Sequence, residues 1–253
     1  MRFANRIGLR VAAAAVASGA LVATALGAAG TAGASTAGVA TADHTTQGSA
    51  YSFSTLDNTR DVTFNQLLGI NNHGLIAGYF GSGAQGHPNK GYLLFPPHSQ
   101  HSYRNENFPG SVQTQVTGLN DAGATVGFWS DMNNASQMND NFGFYSLDGR
   151  HFRTVTFPTR DNATPPVNQL LGVNDSDVAA GFYTDGHGVN HGYTYSIGRH
   201  SFATVTVPGA PGLSLTAAAI SNEGDVAGFY TDAGGVTRHG SRGKDAGTWC
   251  RSG

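Results

Sequence analysis

The sequence predicts an all-β protein of four tandem four-stranded repeats, a small β-propeller, and three observations predict it. A thirteen-residue block recurs four times, each copy carries strand-length runs bounded by Gly, Asn and Pro, and nothing after the first forty residues has helical periodicity. Glycine supplies 36 of 253 residues, about twice its usual share, while charged residues are only 12%. A chain of that composition is rich in turns.

The N-terminal stretch sets the expected compartment. Arg2, Arg6 and Arg10 precede an uncharged run from Val11 to Ala29, with no acidic residue before Asp43. This is the pattern of a secretory signal. Small-x-small sites end at Ala34 and Ala42, so residues 1–42 are expected to be a signal and linker, with a secreted β-repeat domain over 43–253. The alternative is an uncleaved anchor, since the run is close to the roughly twenty residues that span a bilayer. Its Ala and Gly content favours cleavage, which leaves no membrane span. A lipid anchor is excluded because the one cysteine is Cys250.

After residue 42 there are eleven basic and sixteen acidic residues, a net charge of −5. That balance excludes a nucleic-acid partner, which requires a basic patch. Cys250 has no second cysteine to pair with. The chain is expected to be a monomer.

The repeat begins with the block Leu68 to Phe80, which returns as Thr117 to Trp129, Leu171 to Tyr183 and Ala218 to Tyr230. Its anchors Gly69, Gly118, Gly172 and Ala219 are spaced by 49, 54 and 47 residues. A first strand runs to an Asn-Asn-x-Gly or Asn-Asp-x-Gly turn, in which Asn and Asp bond their own backbone and Gly supplies positive φ. A second, apolar strand ends in two aromatics. A third follows a Gly-aromatic pair such as Gly91-Tyr92, Gly143-Phe144 and Gly192-Tyr193, with His239-Gly240 as the fourth copy's counterpart. The last alternates at period two until a Pro, as in Phe152 to Pro158. Four short strands per fifty residues, with Gly and aromatic motifs in each copy, describe a propeller blade.

Tyr51 to Leu56 resembles that last strand and precedes the first copy, so an N-terminal strand is expected to complete the fourth blade and remove its sheet edge. The tail 241–253 reads as polar and irregular, and the alternative is an array left open there.

At these residues the chain resembles the HAF-repeat extracellular proteins, a bacterial family built on a Gly-Ile-Asn-Asn-x-Gly-x-Ile-x-Gly-Tyr core, over residues 69–80, 118–129, 172–183 and 219–230. His191-Gly192-Tyr193 is similar to the family's His-Gly-Phe element. Departures are Lys90 and Phe142 at its His, and Asp177 at the turn Gly. The resemblance implies an exported propeller-like repeat protein and carries over no catalytic residue.

Several motifs invite a chemical reading. Gly81 to Gly86 spells G-x-G-x-x-G, but His87, Pro88 and a new strand stand where the phosphate-binding helix would begin, so it reads as a loop. Neither a G-x-S-x-G elbow nor an H-E-x-x-H pair occurs. Asp185, His187 and His191 offer one oxygen and two nitrogens to a metal, against the simpler reading of Asp185 as a turn cap. Asp131, Asp185 and Asp232 hold equivalent places in copies two to four and would gather on one rim, a shared site for calcium or a sugar. No other cofactor is expected. Of the aromatic pairs Tyr79-Phe80, Phe128-Trp129, Phe182-Tyr183 and Phe229-Tyr230, one ring each belongs to the blade core, and the other is left for a neighbouring blade or a ligand.

Two functions fit. One is a non-catalytic extracellular protein presenting loops to a polysaccharide, a cell-wall component or a cell-surface protein. The other is a glycan hydrolase or lyase, which needs two rim carboxylates roughly 5 to 9.5 Å apart.

Overall fold

The structure, a computed structural model, describes residues 53–133, 139–207, 212–243 and 249–251. The expected signal and linker, residues 1–42, lie outside these residues. No helix among them is long and apolar enough to cross a membrane.

Among the described residues sixteen strands form four antiparallel sheets. Blade 1 is β1 (Asn65–Ile70), β2 (Ile76–Phe80), β3 (Lys90–Leu94) and β4 (Tyr103–Asn105). Blade 2 is β5 (Gln113–Leu119), β6 (Thr125–Ser130), β7 (Phe142–Ser146) and β8 (Phe152–Val155). Blade 3 is β9 (Val167–Val173), β10 (Val178–Thr184), β11 (Asn190–Ser196) and β12 (Ser201–Thr204). Blade 4 is β13 (Leu215–Ile220), β14 (Val226–Thr231), β15 (Thr237–Arg242) and β16 (Trp249–Arg251). Each sheet runs in chain order, and together they form a four-bladed β-propeller that is not closed by hydrogen bonds.

Two expectations are corrected here. The described residues of the tail are largely regular: 241–242 end β15 and 249–251 form β16, which complete the sheet of blade 4, while 244–248 and 252–253 lie outside the described residues. Nor does the N-terminal segment complete that blade. Residues 53–56 carry no strand, and Leu56 packs beneath blade 1 against the cluster of Ile76, Tyr92 and Leu94. Phe108 does the same for blade 2 and Phe157 for blade 3, so the likeness of the three segments reflects a hydrophobic prop before each blade.

Each blade's motif residues have one local cause. The first strand bulges beside its anchor, between Leu67 and Gly69 in blade 1, and the bulge pushes a carbonyl toward the second strand. The facing residue must lack a side chain: a Cβ on Gly127 would lie 2.0 Å from the Gln115 oxygen, and on Gly181 2.1 Å from that of Gln169. The aromatic opposite that glycine, Tyr92, Phe144 or Tyr193, fills the space and is buried.

Most of the core lies in the seams between blades. Ala77 and Leu93 meet Val116, Leu119 and Phe144 at the first seam, and Ala180 meets Leu215 and Ala217 at the third. Full burial of such side chains contributes about 1.5–3 kcal/mol each. Leu67 and Ile70, on β1 before any preceding blade, are 46% and 66% exposed, whereas their counterparts Val116 and Leu119 are 0% and 8%.

The Asn turns join the blades. Asn71, Asn120 and Asn174 each accept backbone N–H bonds within their own turn, then donate Nδ2 to the carbonyl of residue 120, 174 or 221 in the next blade, at 2.9–3.1 Å. An outer ladder runs beside this one: Asn72 N–H donates to Asp121, Asp121 N–H to Asp175, and Asp175 N–H to Asn222. Asp177, at the place of the turn glycine, adopts φ +54° and accepts a bond from Asn120.

Candidate functional site

The carboxylates singled out in the sequence do different work. Asp185 caps the β10–β11 turn, accepting from the N–H groups of His187 and Val189 at 2.9 Å, while its other oxygen lies 2.8 Å from His191 Nε2. Burial works against the charge, but these bonds hold the carboxyl below its ordinary range. Asp232 caps the equivalent turn through Gly234 and Val236 and pairs with Arg238 Nε at 2.9 Å; the Val236 N–H bond leads in lowering it. Of the proposed metal set, His187 contributes its backbone N–H rather than its ring to Asp185. Among the described residues no three His, Cys, Asp or Glu side chains form a group that could hold a metal ion.

Asp131 is exposed and neighbours the buried Asp140, which accepts a 2.5 Å bond from Ser130 Oγ. Burial, followed by the nearby Asp131 carboxyl, holds Asp140 above the ordinary range despite the Ser130 bond.

Among the described residues a cleft of about 220 Å³ opens where blades 1 and 2 meet. Tyr79 from β2 and Phe128 and Trp129 from β6 supply rings, joined by Phe64, whose ring centroid is 5.7 Å from that of Tyr79. Amides come from Asn89, Gln113, Gln115, Asn139 and Asn141. Among the described residues no charged side chain lines the cleft, and burial raises the Tyr79 hydroxyl to about 12, so this lining is uncharged at neutral pH.

A hydrogen-bond network fixes these amides. Gln115 Nε2 donates to Asn89 Oδ1 at 2.8 Å, Asn89 Nδ2 to the Gly81 carbonyl at 2.6 Å, and Gln113 Nε2 to the Met132 carbonyl at 2.9 Å. The Asn–Gln contact belongs to the architecture, because Gln169 and Asn141 repeat it at the second seam and Thr216 and Asn190 at the third. The G-x-G-x-x-G segment is the loop that the sequence indicates, and it serves this cleft: Gly83, at φ +77°, lines it beside Asn89.

Trp129 is particular to the first seam. Its ring is stacked on Phe108, with centroids 4.4 Å apart and planes 7° from parallel, and lies against Phe142 at 4.9 Å. Its Nε1–H is buried without a hydrogen-bond partner. A buried donor left unsatisfied costs about 1–3 kcal/mol, and it is the natural place for a ligand oxygen. Sequence reading identifies the Phe128-Trp129 pair but not its amide partners, which come from separate repeats. The signal available was the recurrence of Gln66, Gln115 and Gln169 three residues before the first three anchors, with Thr216 before the fourth.

The fold and this cleft define the class, a β-propeller with a polar, aromatic-lined inter-blade cleft. No family model matches the chain, and no curated protein matches it in sequence. Among solved structures it is similar to a PL25 polysaccharide lyase, an ulvan lyase solved with bound saccharide, at 15% identity and TM-score 0.38, and to an ulvan lyase of the same family at 16% and 0.39. Each alignment covers 74% of this chain and 56% of the lyase, so the chain spans just over half of those proteins' length. Likeness of this degree does not extend to activity.

Proposed function

We propose that the protein is exported and acts as a non-catalytic saccharide-binding propeller, with the cleft between blades 1 and 2 holding an uncharged sugar. The observation that carries this reading is the buried, unpartnered Trp129 Nε1–H beside rings and fixed amides in an uncharged cleft. Sugar hydroxyls both donate and accept, which suits carboxamides, and their C–H faces pack on aromatic rings. Convergent polar groups in a largely apolar concavity are the usual makeup of a small-molecule site.

A glycan hydrolase or lyase is the second reading, favoured by one observation: Asp140 is disposed to hold a proton beside Asp131, next to Ser130 on the cleft wall. Neither carboxyl lines the cleft itself.

The test is titration of the domain with neutral oligosaccharides, followed by tryptophan fluorescence and calorimetry. Saturable binding to one class is expected. Trp129→Phe, which keeps a ring but removes the donor, should weaken it about three- to tenfold. Absence of saturable binding, or equal affinity in the variant, would sink the proposal. Release of reducing ends or unsaturated products would establish the catalytic reading.

A further inference from the structure

Blade 2 is propped by a segment that departs from its counterparts at one position. In sequence, Tyr103-Arg104-Asn105-Glu106-Asn107-Phe108-Pro109 aligns without a gap with Phe152 to Pro158 before blade 3 and Phe202 to Pro208 before blade 4. Two residues before the prop, blades 3 and 4 have Val155 and Val205, buried in the clusters that also hold Ala179 and Val226. Blade 2 has Glu106 there, only 4% exposed, and the fully buried Thr125 where the others have Ala179 and Val226. An apolar pair in two blades is thus a carboxyl and a hydroxyl in the third, with Thr125 Oγ1 donating to Glu106 Oε1 at 2.9 Å.

The surroundings of Glu106 oppose a charge on it. Thr125 meets it from β6, the Gly91 carbonyl from β3, and Gly149 and the Asp148 carboxylate from the β7–β8 turn. Among the described residues no cation pairs with it. Burial raises its pKa; the Thr125 bond opposes the rise, and Asp148 adds to it. Asp148 itself stays ionised, held low by the His151 N–H first and then the His151 ring. The segment that carries Glu106 is bonded to both blades that form the cleft. Glu106 N–H donates to the Gly91 carbonyl and Gly91 N–H to Asn107 Oδ1, while Phe108 N–H donates to Thr114 Oγ1, and Thr114 lines the cleft. Phe108 is also the ring on which Trp129 is stacked.

We infer that Glu106 is a proton-operated control on the cleft: protonated, it packs as the two valines do and holds Phe108 against Trp129, and ionised, it draws the segment toward water and loosens that stack. Because the folded state holds the proton more tightly than the unfolded chain, this contribution to stability is full below the ordinary carboxyl range and is lost as pH rises through the raised value. The consequence for a bound sugar rests on the cleft reading, whereas the response of Phe108 and Trp129 does not.

The test follows Trp129 emission and thermal unfolding across the acid to neutral range in protein carrying Trp249→Phe, which leaves Trp129 as the one tryptophan. A single titration step in emission is expected, with the unfolding midpoint falling roughly 2–4 °C across it. Glu106→Gln and Glu106→Val should each abolish both changes, and the second restores the residue that blades 3 and 4 already fold with. Asp140→Asn, which removes the other carboxyl raised by burial near the cleft, should leave the step in place. The inference fails if the parent shows no step, if the step survives both Glu106 variants, or if Asp140→Asn alone removes it. Titration with neutral oligosaccharides on either side of the step separates the two readings. Affinity about threefold or more weaker above the step, and level in Glu106→Gln, is expected. A step with no sugar bound at any pH would sink the cleft reading and leave the response of Trp129 standing, while sugar bound equally on both sides would overturn the control.

Discussion

Blades 3 and 4 share one plan and differ by the length of a single step. In blade 3 the turn-capping Asp185 is six residues before His191, while in blade 4 Asp232 is seven before His239. The turns themselves are alike: each Asp accepts from N–H groups two and four residues on, and Gly188 and Gly235 adopt φ +81° and +78°. The extra residue therefore passes into the strand, and a one-residue slip exchanges the faces of every side chain. Tyr193 pairs with Gly181 and is fully buried, but Gly240 is what pairs with Gly228. His239 takes the place of Gly192, and Arg238 that of His191 against the capping Asp. Burial of the second-strand aromatics reverses with it: Phe182 is buried in blade 3, whereas in blade 4 the buried one is Tyr230. The lesson is that turn chemistry sets register even where a recognisable sequence motif would place the strand one residue away.

The largest expected effect separates the two cores. Tyr193→Ala should cost about 3–5 kcal/mol in urea unfolding, as for other large buried aromatics, whereas Gly240→Ala should move the midpoint little. Comparable losses at both positions would mean that the blades are packed alike. The ladder gives a smaller contrast. Asn120→Ala removes bonds to Ala124 N–H, the Asn174 carbonyl and Asp177 and should cost about 2 kcal/mol. Ser221→Ala removes the one bond from Asp225 N–H and should cost about 0.5–1 kcal/mol. An effect of opposite sign is expected of a repair. Deleting Arg238 and introducing Ser241→Tyr would restore the blade 3 spacing, set a tyrosine opposite Gly228 and bring His239 to Asp232. A gain of about 1 kcal/mol is expected, with slower amide exchange along β14. Unchanged exchange would mean that the register of β15 does not govern the stability of blade 4.

Strand number, blade number and the turn-capping role of Asp185 and Asp232 were readable in the sequence, because each depends on residues close together in the chain. The six- and seven-residue spacings are legible in the sequence as well, but the His-Gly pair common to both blades masks the difference in the interval before it. The seam chemistry was out of reach for a different reason. The second partner of the Asn71 amide is 49 residues away, and Tyr79 and Asn89 meet Gln115 and Trp129 only because two blades lie side by side. The likeness of Tyr51 to Leu56 to a closing strand was real in residue pattern, but for Leu56 the pattern encoded a prop beneath the following blade.

The column of anchors has one more consequence. A Cβ on Gly69 would lie 3.4 Å from the Gly118 Cα, one on Gly118 3.0 Å from that of Gly172, and one on Gly172 3.2 Å from that of Ala219, so each glycine turns its bare side toward the blade that follows. Ala219 turns a methyl group that way, and His239 adds an imidazole where earlier blades have glycine. Tandem duplication of this gene segment would therefore be tolerated unequally along the array. A copy inserted at any of the first three seams meets backbone ready for close approach, while a copy placed after the fourth blade meets two side chains.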